Sequence, residues 1–130
     1  ENLARISPPQ WVPGMFDLLS YLDEQSVKYA LVTSGSRTRV QQILGRLGSF
    51  DRFDFIIGRE DVSFSKPHPE PYLAAIPKIG TPIQNVLVVE DSFNGFNCRS
   101  SISYVIKPKY KSSQYKCRSD DKFALFHDKI

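Results

Sequence analysis

Short apolar runs that alternate with stretches of helical periodicity constrain this chain more than any other feature. Tyr29-Ala30-Leu31-Val32, Phe55-Ile56-Ile57 and Val86-Leu87-Val88-Val89 are apolar at every successive position. A strand tolerates that pattern when both of its faces are buried, as in a parallel sheet. Between the runs the periodicity changes. Met15, Leu18, Leu19 and Leu22 recur at i, i+3, i+4 and i+7, and Val40, Ile43, Leu44 and Leu47 repeat the spacing; each set marks one face of a helix. Pro13-Gly14 should launch the first helix and Gly48 should stop the second. Pro71 suits the first turn of a third helix carrying Leu73 and Ile76, which Pro77 should end or kink early. A shorter helix from about Phe93 and a last strand, Tyr104-Val105-Ile106, complete the order.

This alternation predicts an α/β fold with right-handed crossovers and a mostly parallel sheet flanked by helices. In such sheets ligands sit beyond the carboxyl ends of the strands. Thr33-Ser34, the loop to Lys66 and Glu90-Asp91 each lie just beyond a strand end, so the candidate site is drawn from these segments. The chain's 17 basic and 14 acidic residues give a net charge of only +3, and no nucleic-acid partner is expected. Two cysteines, Cys98 and Cys117, are too few for a disulfide scaffold and lack metal-type spacing. No apolar run is long enough to span a membrane, and a reducing, cytoplasmic setting is the expectation.

Each polar segment has a chemical and a bland reading. Glu90 and Asp91 follow four aliphatic residues, where two neighbouring carboxylates repel and are costly to desolvate. A divalent cation would relieve both penalties, and an oxygen-only donor set open to phosphate suits Mg²⁺. Alternatively one acid caps the next helix while the other faces water. Lys66 lies in Ser65-Lys66-Pro67-His68-Pro69-Glu70-Pro71, where three prolines stiffen the loop and fix the ammonium's direction toward a phosphoryl oxygen or the acids; a solvated lysine is the rival reading. His68 reads as a loop residue. Thr33-Ser34-Gly35-Ser36 offers hydroxyls and backbone N–H groups at a helix N-terminus, an anion site, and Ser36 also suits an N-cap. Arg37, in the first turn of that helix, would reach a substrate or only water, and water is the expectation.

Val12-Pro13-Gly14, Ala30 to Ser36, Ser65 to Leu73 and Val88 to Gly95 together resemble the haloacid dehalogenase-like (HAD) hydrolases. The likeness is greatest to the branch of small sugar-phosphate phosphatases and β-phosphoglucomutase-like enzymes, and it runs from about residue 12 to residue 108. It implies a Rossmann-like core and phosphoryl transfer through an aspartyl-phosphate, assisted by Mg²⁺, on a small phosphorylated metabolite. It gives Thr33 and Lys66 catalytic roles: Thr33 hydrogen-bonds the phosphoryl group, with Ser34 and Gly35 adding backbone donors, and Lys66 steadies nucleophile and phosphoryl charge. Glu90 and Asp91 would hold the metal. A receiver domain shares the acid pair and the lysine-proline, but its acids precede the lysine whereas here they follow it.

One departure is large. The family's nucleophile is the first aspartate of an Asp-x-Asp motif at the end of the first strand, and none of the nine aspartates here has another two positions away. The resemblance therefore implies a core that lacks the first, central strand and the helical cap: residues 1–12 a remnant of the cap-to-core linker, 13–108 a partial core, 109–130 a basic tail. Such a chain is expected to be a fragment or split enzyme, inactive alone; the alternative is a non-catalytic module that binds a phosphorylated ligand or a protein partner. The missing strand would lie between those at 29–32 and 86–89, leaving both edges unpaired. A separate N-terminal segment, a second chain, closure of the two neighbours or pairing between copies would each resolve this. Lys107, Lys109, Lys111, Lys116 and Arg118 with nearby tyrosines suit contact with RNA or an acidic partner, but the simpler expectation is a solvated tail.

Overall fold

The computed structural model describes residues 8–82, 85–89, 105–106 and 123–126. Helix α1 (Met15–Glu24) leads into strand β1 (Lys28–Val32), helix α2 (Arg37–Arg46) and a two-residue strand β2 (Ile56–Ile57). A single 3₁₀ turn, Arg59–Asp61, precedes helix α3 (Glu70–Ile79) and strand β3 (Val86–Val89); strands β4 (Val105–Ile106) and β5 (Phe123–Phe126) follow. All pairings are parallel, in the order β2-β1-β5-β3-β4.

Local sequence accounts for the helix ends. Ser36 caps α2 through its side chain, which accepts from the Arg39 N–H at 3.2 Å. Gly48 ends it: at φ 64° it adopts the left-handed conformation that L side chains resist. The Gly48 N–H then reaches the Gly45 carbonyl at 3.1 Å, and the Ser49 N–H reaches that of Leu44 at 2.8 Å. Two otherwise orphaned carbonyls are satisfied at once.

The strands bury both faces, as their unbroken apolar runs require. Alternation along β1 sends Ala30 and Val32 into one cluster with Ile57, Tyr72, Ala75, Ile79, Val86 and Val88. Tyr29 and Leu31 point the other way, joining Leu19, Leu22, Val40, Leu44, Leu87 and Val89. The sheet is thus a two-sided core, with α3 on one face and α1 and α2 on the other. Each fully buried leucine or isoleucine contributes about 1.5–3 kcal/mol of hydrophobic stabilisation.

Two expectations change. α3 continues through Pro77 to Ile79 rather than ending or kinking early. Tyr72 and Ala75 before the proline and Ile79 after it all pack into one cluster, so burial on both sides of the defect offsets the lost hydrogen bond. The larger change concerns the slot between β1 and β3. In this structure the chain's own Phe123–Phe126 occupies it, pairing with β1 from Lys28↔Phe123 to Leu31↔Phe126 and with β3 from Val86↔Phe123 to Val89↔Phe126. At least these four residues of the expected solvated tail are sheet, because two facing strand edges buried on both faces demand a partner. The expected helix from Phe93 lies outside the described residues.

Candidate functional site

β1 delivers its last residue, Val32, to the carboxyl edge of the sheet, and Thr33 follows at once. The Thr33 N–H donates to the Ile57 carbonyl at 2.9 Å, extending the β1–β2 pairing by one step, and leaves the residue only 6 % exposed. Its Oγ1 accepts from the Gly35 N–H at 3.0 Å, a local turn bond of the kind threonine makes after a strand.

Lys66 reaches the same place from a different part of the chain. Its ammonium donates to the Val32 carbonyl at 3.1 Å and lies 4.8 Å from the centroid of the Tyr72 ring, and the residue is only 8 % exposed. A lysine this buried needs electrostatic support, to which the carbonyl and the ring contribute. The solvated-lysine reading is therefore overturned: Lys66 is bonded to the residue immediately before Thr33.

The loop that carries Lys66 is held by a residue that sequence reasoning treated only as part of a motif. Glu70, in the first turn of α3, reaches back so that its carboxylate accepts from the Ser63 N–H at 2.8 Å and the Phe64 N–H at 2.9 Å. The Ser63 N–H holds the Glu70 carboxyl below its ordinary value, with the Phe64 N–H and the nearby His68 acting in the same direction and desolvation opposing them. His68 is a loop residue, as expected: its Nδ1 accepts from the Glu70 N–H at 3.1 Å and its ring lies 4.9 Å from that of Phe64. The only advance signal for Glu70 was a glutamate at a proline-led helix start.

The N-terminus of α2 differs from an open anion site. Glu60 places its carboxylate there, accepting from the Arg37 N–H at 3.0 Å, and that bond holds the Glu60 carboxyl below its ordinary value. The helix end thus already has an acid of the kind its dipole favours. Arg37 stays partly exposed, and its guanidinium pairs with Asp61 in the 3₁₀ turn. Gly58 makes the approach possible, since a Cβ there would stand 3.0 Å from Glu60 Oε2 and 3.2 Å from the Arg37 nitrogen. Of the candidate phosphate-binding groups, the Gly35 N–H is engaged by Thr33, and the Ser34 carbonyl accepts from Arg59 Nε at 3.4 Å.

Glu90 and Asp91 lie outside the described residues. In sequence they follow Val89, the last residue of β3, which shares a row with Leu31 across β5. The carboxyl ends of β1 and β3 are therefore at one edge of the sheet. An adjacent acid pair is an all-oxygen donor set that fits Mg²⁺, which takes one or two carboxylates and keeps several waters. Among the described residues no group of three or more His, Cys, Asp or Glu is gathered to hold an ion, and no helix is long and apolar enough to cross a membrane.

Known proteins are similar to this chain in sequence and in fold. A "Phosphoglycolate phosphatase" of Pectobacterium atrosepticum is 38 % identical over 78 residues, which is 60 % of this chain and 33 % of that protein. "Hexitol phosphatase B" of Escherichia coli K12 is 29 % identical over 84 residues, covering 65 % and 38 %. A solved structure, a putative β-phosphoglucomutase from Thermotoga maritima, superposes with a TM-score of 0.68 at 26 % identity over 88 % of this chain and 54 % of that one. The chain spans about a third of the length of the first of these curated relatives. The sequence profile described as "Haloacid dehalogenase-like hydrolase" matches residues 5–103, most of the strands and helices that build the rim, and the chain belongs to that family.

Proposed function

We propose that the chain is the core of a Mg²⁺-dependent phosphatase or phosphomutase acting on a small phosphorylated metabolite, a core that needs an Asp-x-Asp segment from elsewhere before it can turn over. The observation that carries this reading is the 3.1 Å bond from Lys66 Nζ to the Val32 carbonyl, which draws a cation from a distant loop to the residue beside Thr33. The relatives' printed names, a phosphoglycolate phosphatase and a hexitol phosphatase, support a phosphorylated substrate.

In this reading the Thr33 hydroxyl donates to a phosphoryl oxygen, and Gly35 and Ser34 turn backbone N–H groups to the same anion as Thr33 re-aims. The Lys66 ammonium, fixed by the carbonyl and the ring, neutralises charge that builds on the phosphoryl group and on an incoming carboxylate nucleophile. Glu90 and Asp91 would hold Mg²⁺, which when bound supplies further neutralisation of the phosphoryl oxygens. Positioning and charge neutralisation supply most of the acceleration in phosphoryl transfer, so these roles are separable from that of the nucleophile.

The test is complementation. Mixed with Mg²⁺, a phosphate ester and a polypeptide bearing the Asp-x-Asp strand, the chain should hydrolyse the ester; without that polypeptide it should not. Inactivity in both mixtures, together with no Mg²⁺ binding by calorimetry, would overturn the reading. The absence of any Asp-x-Asp in the sequence favours a second reading, a module that binds a phosphorylated ligand without turnover, and phosphate protection of the Thr33–Gly35 amides without catalysis would select it.

A further inference from the structure

Arg37 and Arg59, the two arginines beside the Ser34-Gly35 segment, are held differently. Arg37 engages two acids: its guanidinium pairs with Asp61, and its N–H donates to the Glu60 carboxylate at 3.0 Å. Arg59 opens the same 3₁₀ turn, yet among the described residues it forms no ion pair. What it holds is backbone. Its Nε donates to the Ser34 carbonyl at 3.4 Å and its N–H to the Gly35 carbonyl at 3.0 Å. The residue is exposed, and the two terminal nitrogens of its guanidinium have no hydrogen-bond partner among the described residues. The turn beneath it is closed by the Asp61 N–H on the Gly58 carbonyl at 3.1 Å. Arg59 is thus a permanent cation on a fixed turn, tied to the segment that follows β1, with the outer part of its planar fork unused.

We infer that Arg59 is a specificity-determining residue that receives a second anionic group of the substrate. The phosphate monoesters this rim favours then carry a carboxylate or a further phosphate besides the phosphoryl group. The inference rests on the phosphoryl site proposed at Thr33, Ser34 and Gly35. Arg59 bonds the carbonyls of Ser34 and Gly35, the two residues whose amides are the candidate phosphoryl donors, so fork and phosphoryl group fall within the span of one small molecule. A guanidinium fork matches a pair of anionic oxygens through two parallel hydrogen bonds. A neutral alcohol part would leave the fork in water and gain nothing from it. Glu60 and Asp61, next in the chain, would repel a second anion if their charges were unengaged. Both are turned elsewhere: Glu60 to the Arg37 N–H, Asp61 to the Arg37 guanidinium and to the Gly58 N–H at 2.8 Å. The selectivity follows from this division of labour and holds whether the chain turns the ester over or only binds it.

The experiment is calorimetry on the full chain with Mg²⁺, using ethyl phosphate, phosphoglycolate and ethylene glycol bisphosphate as probes. It is run at about 0.15 M ionic strength, where attraction between exposed charges beyond about 8 Å is largely screened. At least one of the two doubly anionic probes is expected to bind at least about tenfold more tightly than ethyl phosphate, the gain from a charge-assisted pair. In Arg59→Met that ratio should fall to about one, because the fork that produces it is gone. Whichever of the two probes gains more identifies the second anion as carboxylate or phosphate. A merely structural Arg59 would weaken all three probes alike and leave the ratio intact, which overturns the inference, as does the lack of any gain in the wild-type chain. Should Arg59→Met lose its native circular dichroism, Arg59→Gln, which keeps a donor for the Ser34 carbonyl without the charge, gives the same readout. The two ideas fail differently. Ethyl phosphate binding with no gain for a second anion sinks the role of Arg59 and leaves the phosphoryl site standing; no binding of any probe sinks that site and the inference with it.

Discussion

The two ends of β1 carry different kinds of polar cluster. At the amino end Arg52 pairs with Asp23 at 2.9 Å, donates to Ser20 Oγ at 3.0 Å and lies 4.7 Å from the centroid of the Phe16 ring. The Tyr29 hydroxyl donates to the other Asp23 oxygen at 2.9 Å, and its ring meets Phe53 edge-on at 5.3 Å. Opposite charges there satisfy each other, beside a depression of about 500 Å³ lined by Asp23, Lys28, Tyr29 and Arg52. At the carboxyl end the Lys66 ammonium donates to the Val32 carbonyl and lies over the Tyr72 ring. A closed ion pair ties α1 to the loop after α2 and has little charge left to offer a ligand. At the carboxyl end a lysine from a distant loop is instead drawn to the backbone at a strand end.

Substitutions at the two ends should separate activity from stability. Lys66→Met should lower kcat of the complemented enzyme by about 10²–10³-fold, the range for removing a group aimed at developing charge, with its circular dichroism unchanged. Arg52→Ala should do the opposite: activity preserved, and about 1 kcal/mol lost in urea denaturation, since the pair is partly exposed and its attraction is screened. Equal loss of activity in both would erase the distinction between the two ends.

Tyr29→Phe sharpens the amino end further, with an expected loss of about 1 kcal/mol near neutral pH for the bond to Asp23. Burial first, and then the Asp23 bond, push the Tyr29 phenol up from 10.0 to about 12. The folded state therefore holds that proton more tightly than the unfolded chain does. The associated stability is complete below about pH 10 and is lost as pH rises toward 12; following phenolate absorbance alongside unfolding should show one late-titrating tyrosine that the variant lacks.

The smallest effect belongs to Glu70. Its carboxyl lies below the ordinary 4.5, so its contribution is present above that value and fades as pH falls through the lower folded-state value. The Ser63 and Phe64 amide resonances should move together in that acid range, and should be insensitive to it in Glu70→Gln. Resonances that titrate separately would break the assignment of one carboxylate to both amides.

What could be read in advance follows from where the information resides. β1 and β3 were legible because an unbroken aliphatic run has few uses outside a parallel sheet, and Gly48 because a glycine after a helical face has a specific backbone task. The convergence of Thr33 and Lys66 was legible because strand ends in this topology share an edge. Arg37 with Asp61 and Glu60 with the α2 N-terminus were not, because such pairings join residues more than twenty positions apart and leave no local trace. β5 was missed for another reason. Its four apolar residues sit in a stretch dominated by lysines, arginines and aspartates, and only the geometry of a gap elsewhere gives them a place. Glu90 and Asp91 lie outside the described residues.

The position of β5 also has a consequence for how the molecule is made. Until Phe126 has been synthesised, β5 cannot join the β2–β1 pair to the β3–β4 pair. The pairing of β5 with β1 reaches back across most of the preceding chain, and contacts of such long sequence separation form slowly. A nascent chain emerging from the ribosome would therefore carry two sticky edges until this strand arrives, and chaperone binding should be strongest in that interval.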